Sequence, residues 1–182
     1  HAVGPRKEIG QRTIFNLLGP LTNPAGAEIQ LSGVYSASLT EPLAHVLADL
    51  GSRAALVIHG AGGTDELSPC GINRVSHLRD GAVRTYDLDP ASLGLAPTTI
   101  NDLRGGTPDE SAQMMRDLLS GKLNGARRDA VLLNAAAALA AETGDFASAL
   151  IETRQVIDSG AALAKLNALV EYSQSFIQPV IE

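Results

Sequence analysis

The sequence predicts an α/β fold in which a mixed, mostly parallel sheet is flanked by helices and followed by a helical C-terminal tail. Three observations support this prediction. A strand, helix, strand pattern spans residues 29–59, a two-residue hairpin signal stands at Asp80-Gly81, and helical patterns dominate from about residue 100. A βαβ unit of this kind pairs its strands in parallel. The length of 182 residues suits one compact domain or a large piece of one.

The first elements are a short helix and a strand. Thr13 can cap an apolar helix, which Gly19-Pro20 is expected to end, and residues 21–26 follow as a loop. Residues 29–36 alternate apolar and polar side chains, which predicts a strand with one buried face.

The next helix and strand complete the βαβ unit. Residues 39–50 carry leucine and valine at helical spacing, and Gly51 follows as a C-terminal signal. Residues 53–59 form a continuous apolar run, which indicates a strand that is covered on both faces.

An antiparallel hairpin and a series of helices are predicted after this unit. Asp80-Gly81 favours a tight turn between two strands, and Thr107 with Glu110 forms a capping box at the start of a helix. The strands are predicted at 73–79 and 82–87, and the helices at 107–119, 127–142, 146–157 and 161–175.

Composition and charge disfavour several classes of protein. The net charge of -6 argues against a dominant surface for nucleic acid or for an anionic membrane. One cysteine excludes an internal disulfide framework and fits a reducing compartment. The sequence shows no apolar stretch long enough to cross a bilayer and no basic-then-apolar leader, so we expect a cytoplasmic location.

The best candidate for chemistry is the acidic doublet Asp65-Glu66. It follows the loop 60–64, which contains three glycines, at the end of the buried strand. Ligands gather at the carboxyl ends of strands in open α/β sheets, and Mg²⁺ takes one or two carboxylates. The alternative is a solvated acidic turn. The glycines match neither common phosphate-loop spacing, so a flexible turn is the better interpretation of them.

Other polar residues offer weaker signals. The guanidinium of Arg6 suits a carboxylate or a phosphate, although an exposed charge is the simpler interpretation. His59 could act as an acid or base beside the acidic loop, but a structural role is favoured. His45, His77 and Cys70 are interpreted as structural residues.

Four segments, in order along the chain, resemble the anthranilate phosphoribosyltransferase family. The most specific is residues 6–24, RKEIGQRTIFNLLGPLTNP, which resembles that family's signature. Residues 54–60 (AALVIHG) with 64–68 (TDELS) resemble its metal segment. Residues 128–135 (RDAVLLNA) and 157–161 (IDSGA) are similar to two of its late helices.

The resemblance implies transfer of the 5-phosphoribosyl group from phosphoribosyl pyrophosphate to the amine of anthranilate, in tryptophan biosynthesis. It implies a catalytic domain of the nucleoside phosphorylase/phosphoribosyltransferase type, usually in a homodimer. By motif match Arg6 would hold the anthranilate carboxylate, and Asp65 and Glu66 would bind Mg²⁺ on the pyrophosphate. His1 falls where the family often has a histidine near the anthranilate channel.

Family members are about twice as long as this chain. Residues 1–182 are therefore expected to be the C-terminal part of the α/β domain, with the N-terminal helical domain and the pyrophosphate loop absent, and to be inactive alone. Two alternatives remain open: an enzyme like the pyrimidine-nucleoside phosphorylases, and a non-catalytic paralogue that binds nucleic acid. Residues 13–24 argue against the first, and the negative charge and the acidic doublet disfavour the second.

Overall fold

The computed structural model describes residues 15–176, together with residues 4, 8, 10, 11 and 13. Four strands and six α-helices follow one another along this part of the chain, joined by turns and short 3-10 segments. The strands are β1 (Ile29–Gly33), β2 (Ala54–His59), β3 (Asn73–Arg79) and β4 (Ala82–Leu88). The helices are α1 (Phe15–Leu21), α2 (Thr40–Asp49), α3 (Pro108–Leu119), α4 (Ala126–Ala140), α5 (Phe146–Asp158) and α6 (Ala161–Gln174).

The four strands form one mixed sheet in the order β1-β2-β3-β4. β1 and β2 are parallel, with Ile29 opposite Ala54 and Gly33 opposite Ile58. The pairs β2–β3 and β3–β4 are antiparallel. The predicted mixed α/β fold is thus confirmed, but its parallel part within the described strands is the single pair β1–β2. The reason is connectivity: only the first connection contains a crossover helix, whereas β3 and β4 are joined by a hairpin.

Strand β2 is buried because the two faces of the sheet carry separate apolar cores. Leu56 and Ile58 point into the larger core, which is built with helices α3 to α5. Ala55 and Val57 point to the opposite face, where they meet Leu43, Ala44 and Leu47 of α2. Successive side chains of a strand point to opposite faces, so a strand covered on both sides must be apolar throughout. This packing explains the continuous apolar run in the sequence.

The hairpin between β3 and β4 turns on two residues with left-handed backbone. Asp80 has φ 52° and Gly81 has φ 73°, as a primed two-residue turn requires. Arg79 lies opposite Ala82 directly before and after the turn. The turn therefore sets the register of the antiparallel part of the sheet.

The helical part begins as the sequence predicts. Thr107 caps α3: its hydroxyl accepts a hydrogen bond from the Glu110 N–H, and the Glu110 carboxylate accepts one from the Thr107 N–H. The bonds from the backbone N–H and the hydroxyl of Thr107 favour the ionised carboxylate and lower the pKa of Glu110. Helix α4 then packs against α5. Its buried residues are leucine and alanine, Leu132, Leu133, Ala136, Ala137 and Ala140. Small residues allow the two helices to approach closely.

The first helix and the first strand differ from the prediction. Helix α1 runs to Leu21 with Pro20 inside it, rather than ending at Gly19-Pro20. The Thr13 hydroxyl has no hydrogen-bond partner among the described residues; instead the Asn16 side-chain oxygen accepts from the Thr13 N–H at 3.0 Å. Strand β1 ends at Gly33, three residues earlier than predicted, because the chain turns there toward α2. Among the described helices, none has both the length and the apolar character needed to span a membrane.

Replacing Gly81 by alanine should destabilise the protein by about 1–2 kcal/mol, because a Cβ is disfavoured in left-handed backbone. Asp80→Asn, which keeps a residue that tolerates this backbone, should change the free energy of unfolding by less than about 0.5 kcal/mol. Urea denaturation of both variants measures the difference. Equal stability of the two variants would contradict the assigned turn.

Candidate metal and substrate site

The acidic doublet lies at the carboxyl ends of the parallel strands. After β2 the chain makes a small hydrogen-bonded loop, in which the Gly60 N–H donates to the Thr64 carbonyl at 2.8 Å. Gly62 and Gly63 have φ of 85° and 81°, which explains the glycines in this turn. Asp65 and Glu66 follow, and both side chains are exposed. The strand-end position expected from the sequence is therefore observed.

Two glycines let the acidic segment cross directly over the strand ends. A Cβ added at Gly33, the last residue of β1, would lie 1.6 Å from the carbonyl oxygen of Asp65. A Cβ added at Gly60 would lie 1.8 Å from the carbonyl oxygen of Glu66. Neither position can hold a larger residue unless the backbone of the doublet moves. Because glycine has no Cβ, Gly33 and Gly60 leave the space at the ends of β1 and β2 that the backbone of the doublet occupies.

Asn73, the first residue of β3, holds the loop through hydrogen bonds to its backbone. It is fully buried, and its side-chain oxygen accepts from the N–H groups of Ser68 at 2.7 Å and Ala61 at 3.2 Å. Its amide nitrogen donates to the carbonyls of Ser68 at 3.0 Å and Gly71 at 2.9 Å. Asn73 was not predicted from the sequence, because a single asparagine at the start of a predicted strand gives no signal of its partners.

Asn134 of helix α4 holds the same loop through hydrogen bonds to the peptide groups of Leu67. Its side-chain oxygen accepts from the Leu67 N–H, and its amide nitrogen donates to the Leu67 carbonyl, both at 2.8 Å. A third bond, to the Ala130 carbonyl at 2.9 Å, orients the amide. This residue was also missed, although one polar side chain within the apolar run of residues 131–141 is a signal that could have been used.

Three cavities surround the doublet. One, of about 270 Å³, lies between the end of β1 and helix α1, and Asn16, Gly63 and Asp65 line it. A second, of about 480 Å³, is lined by Asp65, Glu66 and Asn134. A third, of about 440 Å³, extends from Glu66 to Arg104 and Arg127 over an apolar floor. The two carboxylates therefore stand where cavities meet.

The chemistry of the donor set fits a magnesium ion that is shared with a substrate. Mg²⁺ usually takes one or two protein carboxylates and completes its shell with water and substrate phosphate oxygens. Asp65 and Glu66 supply two such carboxylates on one exposed segment. In the described part of the chain no group of three acidic, histidine or cysteine side chains forms a self-sufficient metal cage. The doublet thus suits an ion that arrives with a phosphorylated ligand.

The other candidates from the sequence fall outside the site or outside the described residues. Arg6 and His1 lie outside the described residues. The Nδ1 of His59 donates to the Val34 carbonyl at 2.8 Å, which is the structural role favoured from the sequence. His77 donates from Nε2 to the Ala141 carbonyl at 2.7 Å and is likewise structural. Cys70 is a half-buried free thiol.

The fold and the doublet define an α/β domain that presents paired carboxylates at the ends of parallel strands. Residues 1–163 match the model of the glycosyl transferase family, a/b domain. The chain belongs to this family.

Similar proteins within the family include anthranilate phosphoribosyltransferases. The one from Desulfosudis oleivorans is 49% identical over 177 residues, which cover 96% of this chain and 52% of that protein. The crystal structure of the one from Thermus thermophilus matches with a TM-score of 0.85 at 42% identity, covering 93% of this chain and 51% of that one. The one from Saccharomyces cerevisiae in complex with PRPP and Mg matches with a TM-score of 0.85 at 30% identity, covering 97% and 51%. The chain thus spans about half the length of the relatives it matches.

Replacing Gly33 by alanine should displace the Asp65 backbone, since the new Cβ cannot be accommodated, and should cost about 1–3 kcal/mol. Gly71→Ala, in the loop between β2 and β3, is the control, because its Cβ would meet Ala61 at an ordinary 3.5 Å. Chemical denaturation measures both variants. If Gly33→Ala proves as stable as Gly71→Ala, the close approach at the end of β1 is not as described.

Proposed function

We propose that this chain is the metal-binding α/β portion of an anthranilate phosphoribosyltransferase. The reaction transfers the 5-phosphoribosyl group from phosphoribosyl pyrophosphate to the amine of anthranilate and releases pyrophosphate, a step of tryptophan biosynthesis. The observation that carries the proposal is the placement of Asp65 and Glu66 across the ends of β1 and β2, in a chain similar to these enzymes over 96% of its length.

Asp65 and Glu66 are proposed to hold Mg²⁺ together with the pyrophosphate of the donor. The relative from Saccharomyces cerevisiae was solved with PRPP and Mg, which supports this pairing of metal and substrate. When bound, the ion offsets negative charge on the leaving pyrophosphate. The task of the two side chains is to fix the ion, and with it the donor, relative to the strand ends.

The acceptor needs to be positioned rather than activated. The amine of anthranilate is already nucleophilic, so no side chain of this chain is assigned the role of a general base. Correct placement of two reactants can lower a barrier by about 7–11 kcal/mol in favourable cases. Arg6 is proposed to bind the anthranilate carboxylate and thereby aim the amine. A second structure of the Saccharomyces cerevisiae enzyme contains 4-fluoroanthranilate, in line with a site for the aromatic acid.

The remaining features of the enzyme are proposed by the same similarity. We infer that residues 1–182 act as the C-terminal part of a longer enzyme that forms a homodimer in the cytoplasm, and that they do not turn over substrate alone. The proposal is supported by coverage: the matched residues span 52% of the Desulfosudis oleivorans protein and 51% of the Thermus thermophilus chain. Activity is therefore expected only from the full-length enzyme.

In the full-length enzyme, Asp65→Asn and Glu66→Gln should each raise the Mg²⁺ concentration for half-maximal activity by about tenfold or more, because each removes a charged ligand. Glu152→Gln, a change of an exposed carboxylate on α5, is the control and should leave the metal titration unchanged. Unaltered titrations for both doublet variants would remove these residues from the metal site.

Arg6→Ala should raise the KM for anthranilate by about 10- to 100-fold, because a charge-assisted hydrogen bond is worth about 1.5–3 kcal/mol. The KM for the phosphoribosyl donor should change much less. Lys7→Ala, a neighbouring cation, is the control. Steady-state kinetics with both substrates give the comparison. An unchanged anthranilate KM would refute the role of Arg6, and activity of the parent enzyme on pyrimidine nucleosides instead of anthranilate would refute the proposed reaction.

A further inference from the structure

We propose that Asn134 is a positioning residue of the metal site, which fixes the arrangement of the two carboxylates by binding the backbone directly after them. This inference rests on the proposed role of Asp65 and Glu66. The juxtaposition that carries it is the reciprocal pair of hydrogen bonds between the Asn134 amide and the peptide groups of Leu67.

The two bonds restrain the residue that follows Glu66. The Leu67 N–H and carbonyl are both engaged at 2.8 Å, and the Leu67 side chain is 1% exposed in the large core. On the other side of the doublet, the Thr64 hydroxyl donates to the Glu66 carbonyl at 2.9 Å. Because both peptide groups of Leu67 are held, rotation of the Glu66 backbone is limited although its side chain is exposed.

The amide of Asn134 is itself fixed. Its nitrogen also donates to the Ala130 carbonyl, one turn earlier in α4, at 2.9 Å. This bond leaves the side-chain oxygen to face the Leu67 N–H. The adjacent residues Leu132 and Leu133 are fully buried, so the helix that carries the amide is anchored in the core. The backbone that carries the two carboxylates is therefore attached to a packed helix and not held by the loop alone.

Asn134 differs in kind from Asn73. Asn73 is 0% exposed, and its side chain bonds within the loop and to the carbonyl of Leu88 at the end of β4, so its removal should unfold the loop. Asn134 is only partly buried and lines the same cavity of about 480 Å³ as Asp65 and Glu66. Its loss should loosen the doublet while the loop stays folded on Asn73.

The first test is hydrogen exchange on the metal-free full-length enzyme. Asn134→Ala should speed exchange of the Leu67 amide by at least about tenfold, whereas the Ser68 amide, which Asn73 binds, should stay protected. Asn134→Gln, which keeps both the donor and the acceptor on a longer side chain, should give a smaller increase. The control is Asn167→Ala, whose side-chain oxygen accepts from Arg116 at 2.9 Å, away from the loop.

The second test measures Mn²⁺ binding to the same variants by electron paramagnetic resonance, without substrate turnover. Asn134→Ala should weaken Mn²⁺ binding by about 10- to 100-fold, the range usual for residues that support metal ligands, with Asn134→Gln intermediate and Asn167→Ala unchanged. Asp65→Asn is measured alongside as the ligand variant.

The outcomes separate the two ideas. If Asp65→Asn loses Mn²⁺ but both Asn134 variants bind it normally, the positioning role is overturned and the metal site stands. The positioning role is also overturned if exchange at Leu67 is unchanged in Asn134→Ala. If Asp65→Asn keeps full Mn²⁺ affinity, the metal site and the inference built on it both fail.

Discussion

The close approach of one backbone segment to the ends of two strands is the constraint on which the rest of the site depends. The carbonyl groups of Asp65 and Glu66 occupy the space that side chains at Gly33 and Gly60 would fill. Parallel pairing of β1 and β2 brings these two glycines to the same edge of the sheet. The crossover through α2 makes β1 and β2 parallel, so that both strands end at the same edge of the sheet. The two glycines at that edge leave space for the backbone of the acidic residues.

Loop segments near a strand end leave peptide groups that need partners, and two asparagines supply them here. An amide side chain carries both a donor and an acceptor, so it can pair with a peptide as a neighbouring strand would. Asn73 does this for Ala61 and Ser68, and Asn134 does it for Leu67. The peptide groups of this exposed loop are therefore hydrogen-bonded as those of a paired strand would be. An ordered loop of this kind suits the presentation of two like charges to the proposed ion.

Much of the fold followed from periodicity, and the strand-end position of the doublet followed from its place after an apolar run. The hairpin at Asp80-Gly81, the capping box of Thr107 and the buried β2 were all predicted, because each depends on local chemistry or on a repeating pattern. The ends of α1 and β1 were wrong, since tertiary context decides where the chain turns. Asn134 and Leu67 are 67 residues apart, and no local pattern reports a bond across that distance. Arg6 stays a prediction, because it lies outside the described residues.

The hydrogen bonds from the Asn134 side chain to Leu67 involve only the peptide groups of Leu67. This matters for how the proposed metal site can evolve and be redesigned. The identity of the proposed ligands at 65 and 66 is uncoupled from the backbone that presents them, because Asn134 bonds to the peptide groups of Leu67 and not to the side chains of the doublet. Exchanging one carboxylate for another oxygen or nitrogen donor would leave the hydrogen bonds between Asn134 and Leu67 in place. The metal preference of the proposed site can therefore change among related domains without any change in the core.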